Sequence, residues 1–165
     1  MKTLKTIQKT CNIFKVLANV AMILSFVWAG LALVGVICAI IYITDSSIIA
    51  KMLADFVFGL SDGILFLFAY RYFKKETEDG TPFTLDGAEQ LQKLGIWTIV
   101  LPIVSIAIAA IIYGVSGADG AENLSNGASL VLGIAMILFS LVLRCGAEIM
   151  GNNIQRLPAE RNNLK

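Results

Sequence analysis

Asp55-Phe-Val-Phe-Gly59-Leu-Ser-Asp62-Gly63-Ile-Leu-Phe66 is the stretch that decides the fold we expect for this chain. With its flanks, residues 52–73, it is long and apolar enough to form a helix that spans a membrane. Its two carboxylates and two glycines recur at helical spacing and therefore share one face. Because a charge near the bilayer centre costs about 2.5–3.5 kcal/mol, we expect this face to point inward, against neighbouring helices.

The composition of the whole chain also indicates a membrane protein. Of its 165 residues, 57% are hydrophobic and 15% are charged, against roughly 25% charged residues in soluble domains. The sequence contains no histidine, which removes the usual general base and the commonest transition-metal ligand. It also contains no H-E-x-x-H metal-binding motif and no G-x-x-x-x-G-K-[ST] phosphate-binding loop. We therefore expect no enzyme activity, no cofactor and no metal site.

Four apolar segments predict an all-α fold, an integral membrane four-helix bundle made by a single transmembrane domain. The predicted spans are residues 16–43, 52–73, 94–115 and 128–147. Each segment is long enough to cross a hydrocarbon core of about 30 Å, or nearly so. Two of the predicted spans contain a basic residue: Arg71 lies near the end of the second and Arg144 near the end of the fourth.

Stripes of small side chains predict where these helices pack. The stripe on the first span comprises Ala18, Met22, Ser25, Ala29, Ala32, Val36 and Ala39. A second stripe, on the third span, comprises Thr98, Pro102, Ser105 and Ala109. Small residues let helix backbones approach closely in a membrane, and Pro102 is expected to kink its helix without ending it. We predict helix packing at Gly59, Gly63 and Pro102.

Lys and Arg are distributed unevenly among the connecting segments. Four precede the first span, four lie from Arg71 through Lys93, and four follow from Arg144, whereas the other two connections share one, Lys51. Cytosolic segments of membrane proteins have the excess of Lys and Arg. We therefore predict cytosolic N- and C-termini and a cytosolic loop of residues 74–93, in the cell's inner (plasma) membrane.

That cytosolic loop contains the start of a helix. Gly80 to Pro82 predict a turn, and Thr84 is a good N-cap for the helix that follows. Phe83 and Leu91 lie on one side of this helix, which can rest on the membrane surface. The alternative is that this side docks a cytosolic partner. The candidate partner contacts are Pro82, Phe83, Thr84 and Leu91.

Ionisable side chains inside the predicted spans are candidate functional residues. Asp62 lies near the bilayer middle, and we predict that it is neutral or paired in the bundle interior; the alternative is a vestibule open to water. Arg144 can reach toward Asp62 or extend to the headgroups. We favour an Asp62–Arg144 pair, with the second and fourth spans adjacent. The intramembrane polar candidates are Asp55, Asp62, Ser140, Arg144 and Glu148.

Three short motifs in the chain resemble those of a known family. They are Phe73-Lys-Lys with Gly80-Thr-Pro-Phe-Thr84, then Leu91-Gln-Lys-Leu-Gly95, and Leu143-Arg-Cys-Gly-Ala-Glu148. Together they resemble the YoaS-like family of small bacterial membrane proteins of unknown function. The resemblance implies a four-helix membrane fold, frequent genomic pairing with a small helix-turn-helix regulator, and no known enzyme activity. The acidic stretch that such proteins have after the last span is missing here.

These observations favour a protein that acts through protein contacts, in a regulatory, sensory or protective role. The alternative is a component of ion, proton or small-solute transport that uses Asp55 and Asp62, because buried carboxylates mark such paths. The lipid bilayer is a partner in both cases. A second copy of the chain, a cytosolic regulator or another membrane protein is the protein partner that we consider, and we expect no direct binding of nucleic acid.

Overall fold

The computed structural model describes residues 2–42, 45–79, 84–117 and 131–147, and these residues are almost entirely helical. The helices are α1 (Lys2–Tyr42), α2 (Ser46–Asp79), α3 (Leu85–Ser116) and α4 (Val131–Ala147). The first three are long and apolar enough to cross a membrane, and α4 is a shorter apolar helix. The described part of the chain is therefore all-helical, and three of its four helices could cross a membrane.

The first helix is longer than the predicted span of residues 16–43. It begins at Lys2, so the polar residues ahead of the span continue the same helix. Neither glycine nor proline occurs before Gly30 to interrupt it. The Phe14 ring stacks on the ring of Phe73, with centroids 5.4 Å apart. This contact places the start of α1 beside the end of α2.

The connection between α2 and α3 is much shorter than the predicted loop of residues 74–93, because α2 continues to Asp79 and α3 begins at Leu85. Thr84 is the N-cap of α3, as predicted, and its Oγ1 accepts a hydrogen bond of 2.9 Å from the Gly87 amide. The helix that follows runs on into the third apolar segment as one continuous helix, Leu85–Ser116, as predicted.

Of the predicted partner contacts in this region, one is buried and two lie outside the described residues. Leu91 is only 7% exposed and packs in a core cluster with Tyr72 and Leu143, so it is not available to a cytosolic partner. Pro82 and Phe83 lie outside the described residues, and their proposed role stays a prediction.

Helices α1 and α2 are antiparallel neighbours whose backbones come close together at Gly59. A Cβ atom on Gly59 would lie 3.1 Å from the backbone nitrogen of Ala29. One turn further along α2, a Cβ atom on Gly63 would lie 2.8 Å from the Phe26 ring. The small-residue stripe predicted on α1 is buried or half-buried throughout. Both glycines therefore lie in the α1–α2 contact.

Helices α3 and α4 make a similar close contact through a pair of glycines. A Cβ on Gly133 would lie 2.9 Å from the carbonyl oxygen of Gly95, and a Cβ on Gly95 would lie 3.0 Å from that of Gly133. Helix α3 continues through Pro102, which is buried together with Thr98, Ser105 and Ala109. The predicted small face of this helix is thus confirmed as a buried face.

The helix ends richest in Lys and Arg meet at one end of the molecule, which we call the basic end. It comprises the start of α1, the end of α2, the start of α3 and the end of α4. A core cluster of Tyr72, Ala88, Leu91, Leu94 and Leu143 joins α2, α3 and α4 there. The side chains of Lys75 and Asp86 form an ion pair across the short α2–α3 connection.

Candidate functional site

The two aspartates of α2 line an open groove between α1 and α2, which we call the aspartate groove. Its volume is about 420 Å³. The residues that line it are Leu24, Ser25, Val27, Trp28, Leu31, Asp55, Phe58, Gly59 and Asp62. A smaller groove of about 210 Å³ adjoins it and shares Trp28, Leu31 and Asp55. The site is therefore a surface feature that runs along the α1–α2 contact.

Asp62 does not point into the bundle interior, and that prediction is wrong. Its side chain is exposed, whereas Ser61 and Gly63 on either side of it are buried. Successive residues are about 100° apart around a helix, so the predicted stripe is too wide for one neighbouring helix to cover. Helix α1 packs on the edge with Gly59 and Gly63 and leaves the other edge open. Asp55, on that open edge, is half-buried.

The aspartate groove has the chemistry of a site for a cation. None of the nine residues that line it is basic, so neither carboxylate has a positive partner within the groove. Asp55 and Asp62 are about 10.5 Å apart along α2. The side chains of Trp28 and Phe58 add aromatic surface beside these carboxylates, and aromatic faces also attract cations.

Arg144 does not face Asp62, so the predicted Asp62–Arg144 pair is wrong. Arg144 lines a different groove, between α3 and α4, together with Asp86 and Glu89. The physical reason is the packing of α4: Gly133 contacts α3, and Arg144, three helical turns later, lies on the same face as Gly133. A cation at this position meets the acidic first turns of α3 and not the open edge of α2.

Electrostatics at the start of α3 agree with this placement of Arg144. Glu89 lies in the polar first turns of α3, and Lys93 is 2.7 Å from its carboxylate. The hydrogen bond and charge of Lys93 lower the pKa of Glu89, and the charge of Arg144 adds to this effect. Ser140, one turn before Arg144, is buried and donates a 2.6 Å hydrogen bond to the Ile137 carbonyl. Glu148 lies outside the described residues.

Sequence reasoning missed a buried carboxylate at the basic end. Glu76 is only 3% exposed, and its Oε1 lies so close to Gly87 that a Cβ atom there would collide with it. The absence of a side chain on Gly87 lets this carboxylate reach the first turn of α3, where unpaired amide groups and the helix dipole favour negative charge. The sequence shows only that Glu76 follows Tyr72 by four residues and so shares its helical face; that this face is buried is seen in the structure.

Within the described ranges, no group of three or more Cys, Asp or Glu side chains is placed to hold a metal ion. Comparison of the chain with protein-family models, with curated proteins and with solved structures found no match. The function is therefore inferred from the chemistry of the aspartate groove in an all-α protein, three of whose described helices are long and apolar enough to cross a membrane.

Proposed function

We propose that this chain is a multi-pass protein of the bacterial inner membrane that acts through contacts with another membrane protein. Its role would be regulatory, sensory or protective, with no chemistry of its own. The observation that supports this proposal is the exposed carboxylate of Asp62 in an apolar part of α2. An exposed charge at that depth costs about 2.5–3.5 kcal/mol. A partner helix with Lys or Arg at the same depth would offset this cost with a charge-assisted hydrogen bond.

The shape of the aspartate groove fits a helix as its occupant. The wall that α1 contributes has large apolar side chains with high exposure, among them Leu24, Trp28 and Leu31. A partner helix would lay apolar side chains on this wall and direct its basic residues at the carboxylates. Because Asp55 and Asp62 are seven residues apart, a parallel or antiparallel partner with basic residues at i and i+7 would match both.

The orientation in the membrane is part of the proposal. Twelve of the thirteen Lys and Arg residues belong to segments that lead to the basic end, and the remaining one is Lys51. The positive-inside rule therefore makes the basic end cytosolic. In a variant without the native cysteines, a cysteine at Asn123 should react with an impermeant maleimide in intact cells, and one at Glu78 should not. The reverse pattern would overturn this orientation.

Site-specific photocrosslinking in cells tests the contact. A benzoylphenylalanine at Leu31, which lines the groove and is 63% exposed, should give an adduct with a second membrane protein. The same group at Ile111 on α3, which is 66% exposed, is the matched control and should not give it. The Leu31 adduct should disappear in Asp62→Asn. An adduct that persists in Asp62→Asn, or that forms equally at Ile111, would contradict the proposal.

A transport component is the second candidate, and the aromatic side chains of the groove favour it. Trp28 and Phe58 beside two carboxylates are suited to a lipophilic organic cation as well as to a helix. Equilibrium binding of tetraphenylphosphonium to the purified protein separates the two candidates. Saturable binding that is lost in Asp62→Asn, together with no protein adduct at Leu31, would replace the contact role by transport.

A further inference from the structure

A different groove lies at the basic end, between α2 and α3. Its volume is about 340 Å³. Phe68, Arg71 and Lys75 of α2 face Lys93 and Trp97 of α3 across it. On each helix these residues recur at three-, four- or seven-residue spacing, so each set lies on one helical face.

The groove has a charged end and an aromatic end. On α2, Phe68 lies about 4.5 Å along the helix from Arg71, and on α3, Trp97 lies about 6 Å from Lys93. Because the two helices are antiparallel, both aromatic residues lie on the side toward the apolar middle and the basic residues lie toward the basic end. The rings of Phe68 and Trp97 stack with their centroids 5.6 Å apart, and they form an apolar floor beneath the charges.

The charged end has an excess of positive charge even when its ion pairs are formed. Lys75 pairs with Asp86, and Lys93 pairs with Glu89 at 2.7 Å. In the part of the chain that the structure describes, Arg71 makes no ion pair. Its guanidinium is therefore available for the bidentate hydrogen bonds that this group makes with phosphate.

We propose that this groove binds an anionic phospholipid. Its headgroup phosphate contacts Arg71, with Lys75 and Lys93 nearby, and the first methylenes of its acyl chains pack on Phe68 and Trp97. Basic pockets between membrane helices are suited to anionic headgroups, and aromatic residues favour the interface between water and acyl chains. A zwitterionic lipid brings a positive group of its own into this basic site. A soluble phosphate compound would leave the aromatic floor uncovered.

Fluorescence quenching by brominated lipids tests the assignment on the full-length protein. The sequence has two tryptophans, so Trp28→Phe leaves Trp97 as the only indole reporter. The variant is reconstituted in phosphatidylcholine bilayers that contain a small fraction of lipid with brominated acyl chains. Brominated phosphatidylglycerol should quench Trp97 at about one fifth of the lipid fraction that brominated phosphatidylcholine needs, the preference expected for one uncompensated basic residue near the headgroups.

Two added variants make the result specific to the groove. Arg71→Gln should abolish the preference for phosphatidylglycerol, whereas Lys51→Gln, an exposed site near the start of α2, should leave it intact. Circular dichroism confirms that each variant keeps its helices. Equal quenching by both lipids, or a preference that survives in Arg71→Gln, would overturn the proposal. Displacement of the lipid by glycerol 3-phosphate at millimolar concentration would assign the groove to a soluble phosphate compound instead.

Discussion

Asp62 and Glu76 lie on the same helix, fourteen residues apart, and their surroundings differ in an unexpected direction. Asp62 lies in an apolar stretch of α2 and is exposed in the aspartate groove. Glu76 lies in a polar stretch, after two lysines, and is 3% exposed. Local polarity would place them the other way round. What differs is the position of the neighbouring helix. The start of α3 covers the Glu76 side chain, whereas α1 packs on the adjacent edge of α2 and leaves the Asp62 side chain exposed.

A neighbouring glycine accounts both for the burial of Glu76 and for the exposure of Asp62. At Glu76 the neighbour is Gly87, whose missing side chain leaves room for the carboxylate against the amide end of α3. At Asp62 the glycine is the adjacent residue on α2, Gly63, and it receives the Phe26 ring from α1. One step around the helix, about 100°, separates that contact from the carboxylate. Glu76 thus occupies the space left by the missing side chain of Gly87, whereas the space at Gly63 is occupied by Phe26 and not by Asp62.

The largest effect on stability is expected at Gly59, in the close α1–α2 contact beside the aspartate groove. Gly59→Leu should destabilise the protein by about 3 kcal/mol, the upper end of the usual range for overpacking, because its side chain would overlap the backbone of Ala29. Gly30→Leu on α1 is the matched control, since nothing lies within 4 Å of a Cβ atom there. Denaturation of purified protein in mixed micelles, followed by circular dichroism, measures both. Equal stability of the two variants would mean that α1 and α2 do not cross at Gly59.

The next effect in size compares the two acids directly. Glu76→Ala should cost about 1–3 kcal/mol, the usual range when a buried polar contact is broken, and Glu76→Gln should cost less because an amide oxygen can still accept hydrogen bonds. Asp62→Ala should have a much smaller effect on the isolated protein, because its side chain is exposed. The same denaturation assay applies. If Asp62→Ala proved the more damaging of the two, the assignment of buried and exposed acids would have to be reversed.

The helices and much of their packing could be predicted from the sequence, because both follow from local composition. Apolar length indicates the long helices, the small stripe on α1 indicates its buried face, and Thr84 indicates the start of α3. The extent of α2 was underestimated because its last turns are polar. Those turns remain helical beyond the apolar stretch, and Glu76 is buried there against α3.

The position of each charged side chain around the bundle could not be predicted, because it depends on which edge of a stripe the neighbouring helix covers. Helical spacing assigned Asp62 to the same face as Gly59 and Gly63, and the structure divides that face. Similarly, depth in the membrane and the lack of another cation within reach of Asp62 favour a pair with Arg144, but neither indicates the direction in which Arg144 points. Its direction is set by Gly133, whose contact with Gly95 turns that face of α4 toward α3.

A smaller effect tests how Glu76 reaches α3. Gly87→Ala should destabilise the protein because its Cβ would displace the Glu76 carboxylate and press on the Thr84 hydroxyl. If the carboxylate is the main obstacle, the cost should shrink when Glu76 is already alanine. A double-mutant cycle should therefore give a coupling of about 1 kcal/mol between these positions. Additive costs would show that Gly87 is required by Thr84 alone.

The smallest effect on stability, and the largest on function, is expected for Asp62→Asn. The substitution keeps the size of an exposed side chain, so the free energy of unfolding in detergent should change by less than about 0.5 kcal/mol. In cells the outcome should differ, because an amide cannot form the ion pair that a basic residue of a partner helix would complete. The photocrosslink from Leu31 should disappear while the helix content and the yield of the protein stay unchanged. If the yield falls instead, the Asp62 carboxylate stabilises this chain itself. The open edge of α2 would then not be a contact surface for a partner helix.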